Sequence, residues 1–183
     1  MKVLGAPGRE ALASALLALL AVSAALVSQH HFDMQPCPWC VLQRLIFVLG
    51  AAVGLVEAAA SPACAASRPG QTGLRWATAL RLALAVAGLA SALWQHFVAA
   101  ASASCNLTLA DRILAATGLD ALLPDIFQPR ASCLEAKAWL LGVPYELWSA
   151  VLFAALAALA LNSLRGRSRD RLWRKTVTGS SRA

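Results

Sequence analysis

Cys37-Pro38-Trp39-Cys40 places two thiols three residues apart, directly after Pro36 and at the head of an apolar stretch. Proline fits the first turn of a helix, so Pro38 at the first helical position makes Cys37 the N-cap. Unpaired backbone N–H groups and the dipole at a helix start favour a thiolate. A spacing of three sets both sulfurs on one face, close enough to bridge. Such a pair suits cycling between dithiol and disulfide. A permanent structural disulfide and half of a zinc ribbon use the same spacing, and both stay open at this level. A ribbon needs a second tight pair, whereas Cys105 and Cys133 have 27 residues between them, a separation that a disulfide closing a flexible loop accepts readily. No metal is therefore expected.

Arg44 follows Cys40 by four residues, hence on the same helix face and about 6 Å further along the axis. A charge at mid-membrane costs roughly 2.5 to 3.5 kcal/mol, less near the edge, so a partner is expected. A polar-headed ligand reaching Cys40 from the bilayer would meet the guanidinium; snorkelling toward Asp33 is the alternative. His96 lies at a similar depth counted from the outer end of its own apolar stretch. Two polar groups at one level suit a lipid-soluble ligand with a polar head, although His96 also suits a hydrogen bond within the bundle. His30 and His31 read as interfacial residues. Glu57 reads as lying within reach of interfacial water near the other end of its stretch, and Gln43 simply neighbours Arg44.

These residues need an apolar frame. Of 183 residues 59% are hydrophobic and 14% charged, and the mean hydropathy is +0.63, which excludes a soluble domain. Four apolar stretches, at about 11–29, 41–60, 82–103 and 143–161, each approach the ~20 residues that span hydrocarbon. The fold class expected is all-α: a four-helix transmembrane domain over 1–165 and a basic tail over 166–183, with outer loops at about 30–40 and 104–142.

Lys2, Arg9, Arg68, Arg75, Arg81, Arg165, Arg167, Arg169, Arg171, Arg174, Lys175 and Arg182 all fall on one side of such a bundle, which makes that side cytoplasmic and places both termini there. The net charge of +7 then reflects topology and attraction to the lipid bilayer. Nucleic acid is not an expected partner, because the basic residues flank spans and lack interleaved aromatics for base stacking. Lys2, Arg9 and Val22-Ser23-Ala24 also resemble a signal peptide, but an apolar run of about 17 residues exceeds the usual core and predicts a retained span.

This topology turns Cys37, Cys40, Cys105 and Cys133 outward and Cys64 inward. Thiols outside the cytoplasm tend to be oxidised, so the even outward set reads as two disulfides and Cys64 as a thiol without a role. In the long loop, Leu107, Leu109, Ile113, Leu114, Leu122, Leu123, Ile126 and Phe127 recur at helical spacing, with Thr108 to Asp111 as a cap. A short amphipathic helix lying on the bilayer surface is expected there.

Gln29-His30-His31, then Pro36-Cys37-Pro38-Trp39-Cys40-Val41-Leu42-Gln43-Arg44, then Trp94-Gln95-His96, then Cys105 and Cys133 before Trp139-Leu140-Leu141-Gly142-Val143-Pro144, together resemble the disulfide bond formation protein B family over about residues 10–165. The resemblance implies an enzyme of the bacterial inner membrane, a thiol:quinone oxidoreductase. A reduced periplasmic DsbA-like thioredoxin-fold partner would deliver electrons to the Cys105–Cys133 disulfide, with a mixed disulfide at Cys105. Cys133 would exchange with Cys37, and Cys40 as thiolate would pass the electrons to a membrane quinone, ubiquinone or menaquinone, beside Arg44 and His96. Periplasmic oxidation is known to be driven by such a DsbA–DsbB–quinone chain. Pro38-Trp39 between the cysteines, the wide spacing of the loop cysteines and the additional Cys64 depart from the family pattern and bear on redox potential or partner choice. A paralogue dedicated to one DsbA-like partner, a non-catalytic disulfide-stapled membrane protein and a haem carrier using His30, His31 and His96 are the competing readings.

Overall fold

The computed structural model describes residues 5–64, 67–99, 108–132, 135–136, 139–140 and 142–180, with side chains through residue 169. Cys105, Leu107 and Cys133 lie outside the described residues. The chain forms α1 (Ala6–His31), α2 (Pro38–Cys64), α3 (Arg68–Phe97), three short helices α4 (Leu109–Thr117), α5 (Leu119–Leu122) and α6 (Pro124–Phe127), a two-residue hairpin of β1 (Trp139–Leu140) and β2 (Val143–Pro144), and α7 (Tyr145–Ser180). In the hairpin Trp139 pairs with Pro144 and Leu140 with Val143, antiparallel. Ala6–His31, Pro38–Cys64, Arg68–Phe97 and Tyr145–Arg169 are long and apolar enough to cross a membrane. The fold is therefore the expected all-α four-helix membrane bundle, but the bounds differ: α1 and α2 run past their apolar stretches at both ends, whereas α3 starts earlier and already ends at Phe97, and α7 starts at Tyr145, after Val143 and Pro144 have formed β2.

The four long helices pack in a ring, α1 on α2 and α7, α3 on α2 and α7. Lipid tails are as apolar as leucine, so helices in a bilayer associate through close packing and hydrogen bonds. Small residues supply the close packing between α1 and α2: Ala11, Ala15 and Ala18 are buried, and a Cβ added at Gly54 would sit 2.9 Å from the Ala11 carbonyl oxygen. Larger rings fill the centre, where Phe47 of α2 stacks on Phe153 of α7 at 4.0 Å and 6°. Gly88 of α3 leaves the space that the Phe153 ring occupies. Gly88→Val is accordingly expected to destabilise the bundle by about 1 to 3 kcal/mol through overpacking. Thermal unfolding of the detergent-solubilised protein reads this, and an unchanged Tm would show that α3 and α7 do not meet there.

At the end of the bundle that carries both termini, four helices converge on a buried ionic cluster. Glu57 is 1% exposed; its carboxylate accepts from Arg81 Nε at 2.8 Å, Arg167 at 2.6 Å and the Thr78 hydroxyl at 2.7 Å. Arg81 also donates to Ser14 at 2.7 Å, and the Ser163 hydroxyl donates to Glu10 at 2.6 Å. This differs from the expectation that Glu57 reaches interfacial water and that Arg81 flanks the third span. The helices extend past the apolar stretches, so both residues fall inside the bundle and neutralise each other there.

The opposite end is closed by the loop helices. Thr108 caps α4 through a reciprocal capping box with Asp111, as its spacing predicts. Leu114 of α4 and Phe127 of α6 pack on Val41 and Leu45 of α2, while Leu109 and Ile113 stay exposed, so α4 is amphipathic. The expected helical face does not run on to Phe127: Gly118, at φ 65°, ends α4, and the rest forms the separate short helices α5 and α6. The N–H groups of Arg130 and Ala131 donate to the Pro36 carbonyl, tying the loop to the start of α2.

Candidate functional site

The site begins at the first turn of α2. Pro38 is the first helical residue, and the backbone N–H of Cys40 donates to Cys37 Sγ at 3.3 Å, so the thiol of Cys37 acts as the helix cap. The two sulfurs lie 2.8 Å apart. Cys37 is fully buried among Trp39, Leu42, Ala99 and Ala110, and the Trp39 ring leans on Trp94 of α3 at 6.4 Å. The motif thus places one sulfur against the packed loop side and lets its neighbour turn toward the bundle.

Cys40 lines a cavity of about 190 Å³ between α1, α2 and α7. Its walls are mostly apolar, with Ala21 and Ala25 from α1, Phe47 from α2 and Leu152 from α7; its polar groups include Cys40, Gln43, Arg44, Gln95, Tyr145 and Glu146. Gln95 of α3 donates from Nε2 to Cys40 Sγ at 3.2 Å and accepts from Gln43 Nε2 at 2.7 Å.

Arg44 is 5% exposed and does not snorkel to Asp33. One of its terminal nitrogens donates to Gln29 Oε1 at 3.0 Å and to the Ile126 carbonyl at 2.6 Å. Gln29 in turn donates to the Asp125 carbonyl at 3.1 Å. The guanidinium therefore clamps α6 onto α1 and α2. Its Nε–H is buried and has no partner among the described residues. An unpaired donor of this kind is costly in an apolar setting, which fits a site completed by a ligand oxygen.

His96 is placed differently from Arg44. It is half-buried on α3 and its Nδ1 lies 2.9 Å from Glu146 Oε1. Glu146 lines the cavity while His96 stands behind it, so the structure brings together Cys37, Cys40 and Arg44, and connects His96 to them through Glu146. His30 and His31 are exposed at the end of α1, and Cys64 is half-buried at the far end of α2. In the loop, Ser132 and Glu135 bracket position 133 with a reciprocal pair of N–H donations, and those from Ser132, backbone first, hold the Glu135 carboxyl below the usual carboxylate range. Among the described residues no cluster of three His, Cys, Asp or Glu gathers to hold a metal ion.

Sequence reasoning missed Gln29, Gln95, Glu146 and the role of Gln43. A signal was present: glutamine and glutamate within apolar stretches are costly unless paired, and Gln95 sits in the Trp94-Gln95-His96 motif. Which partner each would find required the packing of α1, α3 and α7 against α2.

The sequence profile of the family "Disulfide bond formation protein DsbB" matches residues 9–162. The chain is 33% identical to a disulfide bond formation protein B of Aromatoleum aromaticum over 153 residues, covering 79% of this chain and 87% of that protein. It is 32% identical to one of Azoarcus over 159 residues, 82% of this chain and 91% of the relative. A disulfide bond formation protein B 2 of Pseudomonas syringae pv. syringae is 33% identical over 146 residues, 78% of this chain and 79% of the relative. No solved structure matches the chain. A helix-capped cysteine pair at the mouth of a four-helix membrane bundle, in a chain whose residues 9–162 match the family profile, places the chain in the DsbB family of multi-pass membrane proteins that form disulfide bonds.

Proposed function

We propose that the chain is a thiol:quinone oxidoreductase of the bacterial inner membrane that reoxidises a periplasmic DsbA-like thioredoxin-fold protein, with both termini in the cytoplasm. The observation that carries this reading is the position of Cys40: its sulfur is 2.8 Å from Cys37 Sγ and also lines an apolar cavity among membrane helices.

Thiol exchange requires a thiolate aligned with a disulfide and a good leaving thiol. In this reading the partner's thiolate attacks the Cys105–Cys133 disulfide at Cys105, and the released Cys133 thiolate exchanges with Cys37. That exchange breaks the Cys37–Cys40 disulfide and releases Cys40 as thiolate. The partner's second thiolate attacks the partner sulfur of the mixed disulfide, which completes the partner's own disulfide and releases Cys105; the Cys105 thiolate then re-forms its bond to Cys133 and frees Cys37. Reoxidation of the Cys37 and Cys40 thiols to a disulfide releases two electrons and two protons. A quinone, ubiquinone or menaquinone, supplies the acceptor for both when bound. The residues fit such a group: Phe47, Ala21, Ala25 and Leu152 offer apolar walls for ring and tail, and the Arg44 Nε–H offers a donor for a carbonyl oxygen. Glu146, backed by His96, closes another side of the cavity and connects it to a half-exposed imidazole.

The test is anaerobic reduction of added short-chain quinone by the purified protein and a reduced thioredoxin-fold substrate. Arg44→Leu is expected to raise the KM for quinone about tenfold, the effect of losing one hydrogen bond from a charged donor. Absence of quinone reduction by the unaltered protein, or an unchanged KM in the variant, would remove the cavity from the reaction.

A further inference from the structure

We propose that Gln43 and Gln95 form an oriented pair of amides that positions Cys40 and stabilises its thiolate, with Gln95 as the donor to sulfur and Gln43 as the residue that fixes which way Gln95 faces. The inference rests on reading Cys40 as the electron-donating thiol.

A glutamine side chain has one donor end and one acceptor end, and a half-turn exchanges them. Gln95 lies between two partners that ask for different ends. Gln43 Nε2 donates to Gln95 Oε1 at 2.7 Å, which engages the acceptor and leaves the Gln95 N–H group toward Cys40 Sγ at 3.2 Å. Gln43 and Gln95 are 3% and 6% exposed, so little water competes for either bond. Gln43 belongs to the same helix as Cys40, three residues on, whereas Gln95 comes from α3. The pair thus pins the sulfur to a neighbouring helix and fixes its direction into the cavity.

The chemical consequence follows from the donor type. An N–H directed at sulfur favours the anion over the thiol, because a hydrogen bond to a charged acceptor is the stronger one. A carboxylic acid or an imidazole at position 95 could give up its own proton to the thiolate; an amide cannot. Cys37 Sγ, at 2.8 Å, is the other group against the Cys40 sulfur, and one Arg44 terminal nitrogen is held by Gln29 and the Ile126 carbonyl. Gln95 is therefore the neutral dipole that faces the sulfur directly.

The experiment measures iodoacetamide alkylation of the reduced full-length protein at neutral pH, read specifically at Cys40 by peptide mass spectrometry. No quinone is needed. Gln95→Leu and Gln43→Leu are each expected to slow alkylation about tenfold, the size of one hydrogen bond to a charged acceptor. The double variant is expected to be no slower than Gln95→Leu alone, because Gln43 acts only through Gln95. Gln95→Glu keeps the shape and presents oxygen in place of the donor, so it should slow the reaction at least as much; it carries the test if the leucine variants fail to fold. Alkylation of Gln95→Glu within about twofold of the unaltered protein, or additive losses in the double variant, would overturn the proposal. The outcome separates from that of the proposed function. Slowed alkylation in a protein that reduces no quinone sustains the amide pair and sinks the quinone reaction, and unchanged alkylation in a protein that reduces quinone does the reverse.

Discussion

Cys40→Ser is expected to abolish disulfide transfer to the thioredoxin-fold substrate, with a loss on the order of a thousandfold or more, down to the rate without enzyme. A serine hydroxyl at that position is not ionised at neutral pH and forms no disulfide, so neither electrons nor bonds can pass through it. Cys37→Ser should be equally severe, and the double variant no worse, because the two sulfurs act as one unit at 2.8 Å. Cys64→Ser provides the contrast. That residue lies at the far end of α2, a helix of 27 residues, and its loss should leave turnover unchanged. Substrate oxidation followed by thiol trapping in membranes distinguishes these outcomes. Full turnover in Cys40→Ser would end the redox assignment of the pair and leave a structural disulfide as the better reading.

Glu57→Leu is expected to destabilise the protein by about 3 to 5 kcal/mol, the cost of leaving buried charges unpaired. Glu57 is the carboxylate on which Arg81, Arg167 and Thr78 all converge, and Arg81 is itself 4% exposed. Removing the anion strands two cations inside the bundle. Replacing Glu57, Arg81 and Arg167 together by apolar residues should cost much less than Glu57→Leu alone, since no charge is then left without its counter-ion. Denaturation of the detergent-solubilised protein, followed by circular dichroism, gives both values. Equal stability of Glu57→Leu and the unaltered protein would mean that the cluster is hydrated and contributes nothing.

The Cys37 and Cys40 pair and the ionic cluster occupy opposite ends of the same four helices. The first is built from a short local motif, the second from residues contributed by α1, α2, α3 and α7. That difference explains how unevenly the sequence could be read.

Local order and composition were enough for the helices, the loop helix and the cysteine motif. Apolar runs of membrane length have one low-energy conformation in lipid, because every backbone N–H and C=O must be paired within the segment. Thr108 and Asp111 cap α4, and Pro38 opens α2, through contacts that span three residues or fewer, so spacing along the chain reveals them. The family is legible for the same reason: its signature is order and spacing.

The partners of the polar residues were not legible, and folding settled them. Arg44 finds Gln29 and a carbonyl 82 residues away, Gln95 finds a cysteine 55 residues away, and Glu57 finds Arg167 across 110 residues. In a low-dielectric interior each buried polar group must be satisfied by whichever helix face lies opposite. That face depends on how four helices rotate and pack against one another, which no local pattern in the chain encodes.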